Sequence, residues 1–448
     1  MQNYITLSFL FIIMLFKNAK QIIENGKDRR TKLARRDILS ILSEVVKSVD
    51  PYRVTHKYLE ENIDLSSYKS IYMLAFGKAS IRMAQAACDL LPVEEGVVIT
   101  NEDKIVKAKN VHTFTGDHPI PTLRNIKATE KAIEVVEKCK EEDLLLVLIS
   151  GGGSALLCKP RVPLEDMQTL TDMLLKSGAD ITELNTIRKH LSFVKGGQLA
   201  KLADCEIISC IISDVVGDPI EFIASGPTAP DTTTFEDAKN ILIKYDLWNK
   251  VPESVKRIIN MGLKGELSET PKPGDEVFNR VKNVIVANNS LACESAKRKA
   301  EKLGYKAKIL STTLTGEARE VGKFLVKKAM DELTEKEIMI AGGETTVRVR
   351  GKGKGGRNQE MVLSTVEMLK DSSLVFASFA TDGVDGNSDA AGAIADSYTL
   401  ERSRDKGMRY EEYLENNDSY HFFKNLNDLL ITGPTGTNVM DVQILLHC

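Results

Sequence analysis

The sequence predicts a two-domain α/β protein: a parallel sheet covered by helices on both faces, then a smaller mixed α/β domain. Three observations predict it. The 448 residues exceed what one ordinary hydrophobic core accommodates. Over the first two thirds, short apolar runs that end in glycine alternate with amphipathic stretches, the pattern of parallel strands joined by crossover helices. Over the last third the apolar runs are shorter and glycine turns separate them, which suits a mixed sheet.

The elements follow in order. Residues 4–16, YITLSFLFIIMLF, are apolar and lead into Lys17, Lys20 and a basic stretch at 27–36. The run is short of the roughly 20 residues a spanning helix needs. No cation precedes it and no small-residue cleavage site follows, so it is a poor signal peptide. Translation from Met14 or nearby would account for it; a monotopic anchor is the competing reading, and no stable membrane insertion is expected. Segment 1–30 is therefore set apart as an N-terminal extension. Residues 37–54 have helical apolar spacing that stops at Asp50 and Pro51. SIYMLAFGKAS reads as a buried strand ending at Gly77, with a helix from about Ala79. Segments 96–100, 143–150 and 205–218 give further strands, with helices at 123–139 and 164–177. Residues 261–278 mix Gly, Pro and charge without periodicity, and 266–278 is taken as a linker between a domain at 31–265 and a C-terminal region at 279–448. There, 282–289 and 305–312 read as two strands around one helix.

Composition narrows the function. Hydrophobic residues make up 42% and charged residues 27%, the balance of a soluble globular protein. The net charge is -3, and the cations are clustered locally rather than spread over a domain. With one Trp and 6% aromatics there is little to stack bases on, so nucleic acid is excluded as a partner. The seven cysteines are odd in number and include no CxxC pair. They read as core residues in a reducing, cytoplasmic compartment.

Several segments can carry chemistry. SGGGSALL places Gly151, Gly152, Gly153 and Ser154 directly after a strand, where backbone N–H groups and a helix N-terminus can receive an anion. Neither GxGxxG nor GxxxxGK[ST] is present, so any nucleotide uses another cradle. Lys78, just past a strand end, can pair with a phosphate or a carboxylate. NTIRKHLSFVKGGQLA carries Arg188, His190, Lys195, Gly196 and Gly197; it is either a second anion-facing turn or a solvated basic helix face. His190 has no evident carboxylate partner. Asp214 in SDVVGDP and Asp382 in TDGVDGNSDAAG follow apolar runs, where hard oxygen ligands suit Mg²⁺ or another divalent cation bridging to phosphate; turn formation is the alternative. In GGETTVRVRGKGKGGRNQE, Arg348 and Arg350 alternate as on an exposed hairpin. Arg357 and Asn358 fall at a helix start, where Arg can make forked contacts to phosphate or carboxylate.

Together FGKAS, SGGGSALL, RKHLSFVKGGQLA, SDVVGDP, ASGPTAPD, GGETTV, GGRNQE, TDGVDGNSDAAGA and GPTGTNVMD resemble the MOFRL-type, class II glycerate kinases, in the same order and over nearly the whole chain. The resemblance implies a Rossmann-like N-terminal domain (DUF4147-like), a MOFRL domain at about 336–446 and an active site in the cleft between domains. It implies transfer of the ATP γ-phosphoryl group to D-glycerate, giving 2-phosphoglycerate. Lys78 and Arg357 fall on the family's catalytic Lys and Arg; Gly343, Glu344 and Asn358 lie in the matching C-terminal motifs. A kinase for another small hydroxy acid, an NAD(P)H-dependent hydroxypyruvate reductase and a non-catalytic nucleotide sensor are the rival readings. A homodimer is compatible with the sequence.

Overall fold

The computed structural model describes residues 15–448, so most of the apolar run at 4–16 lies outside the described residues. The fold is the expected α/β one, with two six-stranded sheets. Two compact units emerge: Pro51–Val286, and Ala287–Cys448 together with residues 15–50.

In the unit Pro51–Val286, strands β1 (Ile71–Phe76), β2 (Val93–Thr100), β3 (Val111–Thr115), β4 (Leu144–Ile149), β5 (Glu206–Ile212) and β6 (Val281–Ala287) order as β3-β2-β1-β4-β5-β6. The pairs β1–β2, β2–β3, β1–β4 and β4–β5 are parallel. Strand β4 is buried at every position, as a central parallel strand under helices on both faces must be. The chain moves outward from β1 to β3 and returns to β4, so the order reverses between β1 and β4. Such a switch point opens a crevice at the strands' carboxyl ends, where α/β sheets bind ligands. Phe76 pairs with Ile149, and Ile149 with Ile211, which brings the ends of β1, β4 and β5 level.

The second unit holds β7 (Lys306–Leu314), β8 (Glu337–Gly343), β9 (Leu374–Ala380), β10 (Gly392–Asp396), β11 (Leu429–Leu430) and β12 (Asp441–His447), ordered β11-β10-β9-β12-β8-β7. Only β7–β8 is parallel; the other pairs are antiparallel, making the sheet mixed.

The expected boundaries differ from these units in two places. Helix Arg29–Ser48 belongs with the C-terminal half, not with a domain at 31–265. The cause is Arg35, fully buried, whose Nε and Nη1 donate to Asp396 and Asp428, each at 2.7 Å. Phe16 also packs edge-on to Phe379 at 5.8 Å, so the end of the apolar run is core rather than extension. The expected linker at 266–278 is bound into its unit: Glu269 accepts from Phe235 N–H at 2.9 Å, and Thr270 Oγ1 donates to Asp231 at 2.9 Å. Pro51, read as the end of a helix, begins a second one at once, Pro51–Asn62, since proline fits a first helical turn.

Candidate active site

At the switch point, the ends of β1 and β4 are stitched together. Lys78 N–H donates to Gly151 O at 2.8 Å, and Ala79 N–H to Ser150 Oγ at 3.0 Å. Gly152 follows in the left-handed region at φ 81°, which favours glycine. A side chain at Gly151 would meet Asp214 Oδ2 at 2.1 Å, so only glycine lets the β5 carboxylate approach the turn. The N–H groups of Gly151 and Gly152 donate to no backbone carbonyl among the described residues. Two such N–H groups in a glycine turn form an anion-receiving concavity. The helix expected to strengthen it is one turn only, Gly153–Leu156, so the backbone donors and not a helix dipole must serve.

Lys78 is exposed, and among the described residues its ammonium makes no ion pair or hydrogen bond. His118 lies against the same turn: a methyl group on Gly152 would stand 3.2 Å from His118 Nε2 and 3.3 Å from Lys78 Cγ. Burial first, then the Lys78 charge, hold the His118 ring below its ordinary pKa. His118, a lone histidine in a loop, carries no local signal in the chain.

The segment 185–200 departs from both expectations. It is not a solvated face, and the backbone donors of its glycine turn meet protein acceptors. Lys195 is buried, and its ammonium donates to Ser154 O at 2.6 Å and Leu157 O at 3.1 Å, holding the glycine turn from behind. Burial pushes its pKa down to about 8. Gly196 and Gly197 donate their N–H groups to Ser225 O and Gly226 O. Ser154 Oγ shares a hydrogen bond with Ser225 Oγ at 2.7 Å. His190 is buried and does have a carboxylate partner: Nε2 lies 3.1 Å from Glu269, and Nδ1 lies 2.8 Å from Thr186 O. Both ring nitrogens face acceptors. Arg188 is half-buried, and burial lowers its pKa.

In the second unit Arg357 opens helix Arg357–Leu363 as expected. Its fork is engaged by protein: Nε and Nη2 reach Asp441 at 2.5 and 3.0 Å, and Nη1 reaches Glu344 at 2.8 Å. Burial opposes the charge, but Asp441 more than offsets it and the Arg357 pKa is raised. The helix start is capped by Asp385, which accepts from the N–H groups of Asn358 and Gln359 at 3.1 and 2.9 Å. Asn358 is buried, with Ser378 Oγ donating to its Oδ1 at 2.5 Å. Gly343 is required by close approach: a side chain there would meet Leu314 N at 2.3 Å. Asp382 Oδ1 accepts from Val384 N–H at 3.0 Å, which is turn chemistry.

The cationic glycine stretch forms no hairpin; residues 347–356 are irregular. Asn417 Oδ1 receives Arg350 and Gly351 N–H at 2.7 and 2.9 Å, and Asp418 receives Lys354 N–H at 2.9 Å. The backbone donors are thus satisfied by side chains, and Arg348, Arg350 and Lys352 point to solvent.

Residues 37–260 match the family described as domain of unknown function DUF4147, and residues 337–441 match the MOFRL family. The chain is 44% identical to a glycerate 2-kinase of Pyrococcus horikoshii over 91% of this chain and 96% of that protein. It is 40% identical to a D-glycerate 2-kinase of Thermotoga maritima, over 91% and 96%. A crystal structure of glycerate kinase from Thermotoga maritima superposes with a TM-score of 0.85 at 39% identity, covering 93% of this chain and 100% of that one.

Proposed function

We infer that this chain, which belongs to the family of MOFRL-type glycerate 2-kinases, transfers the γ-phosphoryl group of ATP to D-glycerate, yielding 2-phosphoglycerate and ADP. The observation that carries this reading is Lys78, exposed at a switch point beside the glycine turn of Gly151 and Gly152. Phosphoryl transfer needs positioning and charge stabilisation more than covalent chemistry, and this arrangement offers both. We assign the phosphate-receiving role to Gly151, Gly152, Gly153 and Ser154. Lys78 and Arg357 are assigned to stabilising charge on the transferring group, with Glu344 and Asp441 holding Arg357.

Mg²⁺ would arrive with ATP. Among the described residues no three His, Cys, Asp or Glu side chains converge to hold an ion. Mg²⁺ keeps phosphate oxygens and water as most of its ligands and needs only one or two carboxylates. Asp214, against Gly151 at the end of β5, fits that role; Asp382, committed to its turn, is the second choice. The ion would neutralise charge on the phosphate oxygens.

No helix among the described residues is long and apolar enough to cross a membrane. All seven cysteines are free thiols, which supports a cytoplasmic location; a homodimer is the assembly we propose. The reductase reading lacks a dinucleotide fingerprint and is not favoured. A coupled assay for ADP release, run with and without D-glycerate, tests the proposal. Glycerate-dependent release is expected; NADPH oxidation with hydroxypyruvate, and no ADP, would reverse it.

A further inference from the structure

We propose that His118 is a further catalytic residue of this reaction, accepting the proton of the D-glycerate hydroxyl as that oxygen attacks the γ-phosphorus. The inference rests on the kinase reading and deepens it.

His118 lies on the loop after β3, and its ring edge faces the glycine turn: Cδ2 and Nε2 would stand 3.1 and 3.2 Å from a methyl group on Gly152. The Lys78 stem lies at 3.3 Å from the same point. Ring, ammonium and anion-receiving turn therefore border one space at the carboxyl ends of β1 and β4. The ring is half-buried, and neither nitrogen has a hydrogen bond or ion pair among the described residues. His190 is the contrast: both of its nitrogens are committed inside the fold.

The charged groups around the ring fix its state. Lys78 faces it across the turn, and neighbouring Asp117 is occupied by Thr122 and by Arg124 at 3.5 Å. Burial and the Lys78 charge both favour the neutral ring. A neutral imidazole beside an ammonium divides the work. The ammonium meets the phosphoryl oxygens, and the imidazole lone pair takes the proton. In the step, the O–P bond to glycerate forms and the bond from the γ-phosphorus to ADP breaks, its electron pair leaving with ADP. The hydroxyl proton moves to an imidazole nitrogen and then to water.

Positioned general bases contribute about 10²–10⁴-fold. The test is the pH dependence of D-glycerate kinase activity in wild type, His118→Asn and His118→Gln, with thermal melts of each. Both variants should melt like wild type and lose about 10²–10⁴-fold in kcat, with KM for ATP little changed. The acidic limb of the wild-type profile, set by protonation of the ring below the ordinary histidine value of about 6.5, should vanish. Turnover close to wild type, or a loss that leaves the acidic limb in place, would overturn the assignment while the kinase reading stands. A wild-type enzyme that makes no phosphoglycerate would overturn both.

Discussion

Asp441 grips the guanidinium of Arg357 with both carboxylate oxygens, 2.5 Å to Nε and 3.0 Å to Nη2. Asp441 is buried and Arg357 is partly open to solvent, so the pair presents a fixed cation. Two parallel bonds set the plane of the fork as well as its place. Asp441→Asn removes the charge and one acceptor. It should lower kcat by roughly 10²-fold, comparable to losing one preorganised donor at a reacting centre. Arg357→Lys should do no better, since an ammonium cannot make the fork. Steady-state kinetics on both variants check this; wild-type kcat in either would remove Arg357 from the account.

Lys78 has the opposite character. The residue is exposed, so Lys78→Ala should melt like wild type and lose about 10²–10³-fold in kcat. A paired thermal melt and kinetic assay separates the two effects. Full activity would show that the charge is not used.

Much of this was legible in the chain. Apolar runs ending in glycine mark β1, β4 and β5, and the same local pattern points to Lys78 and the turn at Gly151. What escaped was decided by partners far away in sequence. Arg35 finds Asp396 and Asp428 at separations of 361 and 393 positions, which moves its helix to the other unit. His190 finds Glu269, 79 positions on, so a seemingly exposed basic segment turns inward. Asn417 replaces the strand partner that 345–351 was expected to have. No window of local periodicity contains these pairings.

The Arg35 cluster should dominate the stability of its unit. Removing one partner of a buried ion pair strands the others without compensation, at a cost of about 3–5 kcal/mol. Arg35→Ala should therefore lose stability of that order in urea denaturation. A loss below about 1 kcal/mol, the scale of a surface pair, would contradict the buried network.

Glu269 carries a pH signature. Burial alone would raise its pKa, but His190, the Phe235 N–H and Lys272 hold it at about 2. A carboxyl depressed in the folded state binds fewer protons there than in the unfolded chain. Its stabilisation is therefore complete above the unfolded value of about 4.3 and is lost as pH falls toward 2. The stability difference between wild type and Glu269→Gln that is present at pH 5 should shrink as the pH falls below 4. A difference that does not change below pH 4 would show that the Glu269 carboxyl is not held down in the fold.

The central claim is glycerate 2-phosphorylation, and ³¹P NMR of the purified protein with Mg²⁺, ATP and D-glycerate tests it most directly. A 2-phosphoglycerate resonance that grows in step with ADP is expected. A 3-phosphoglycerate resonance would keep the kinase and contradict the position. ATP left intact, or converted only to ADP and free phosphate, would contradict the claim itself.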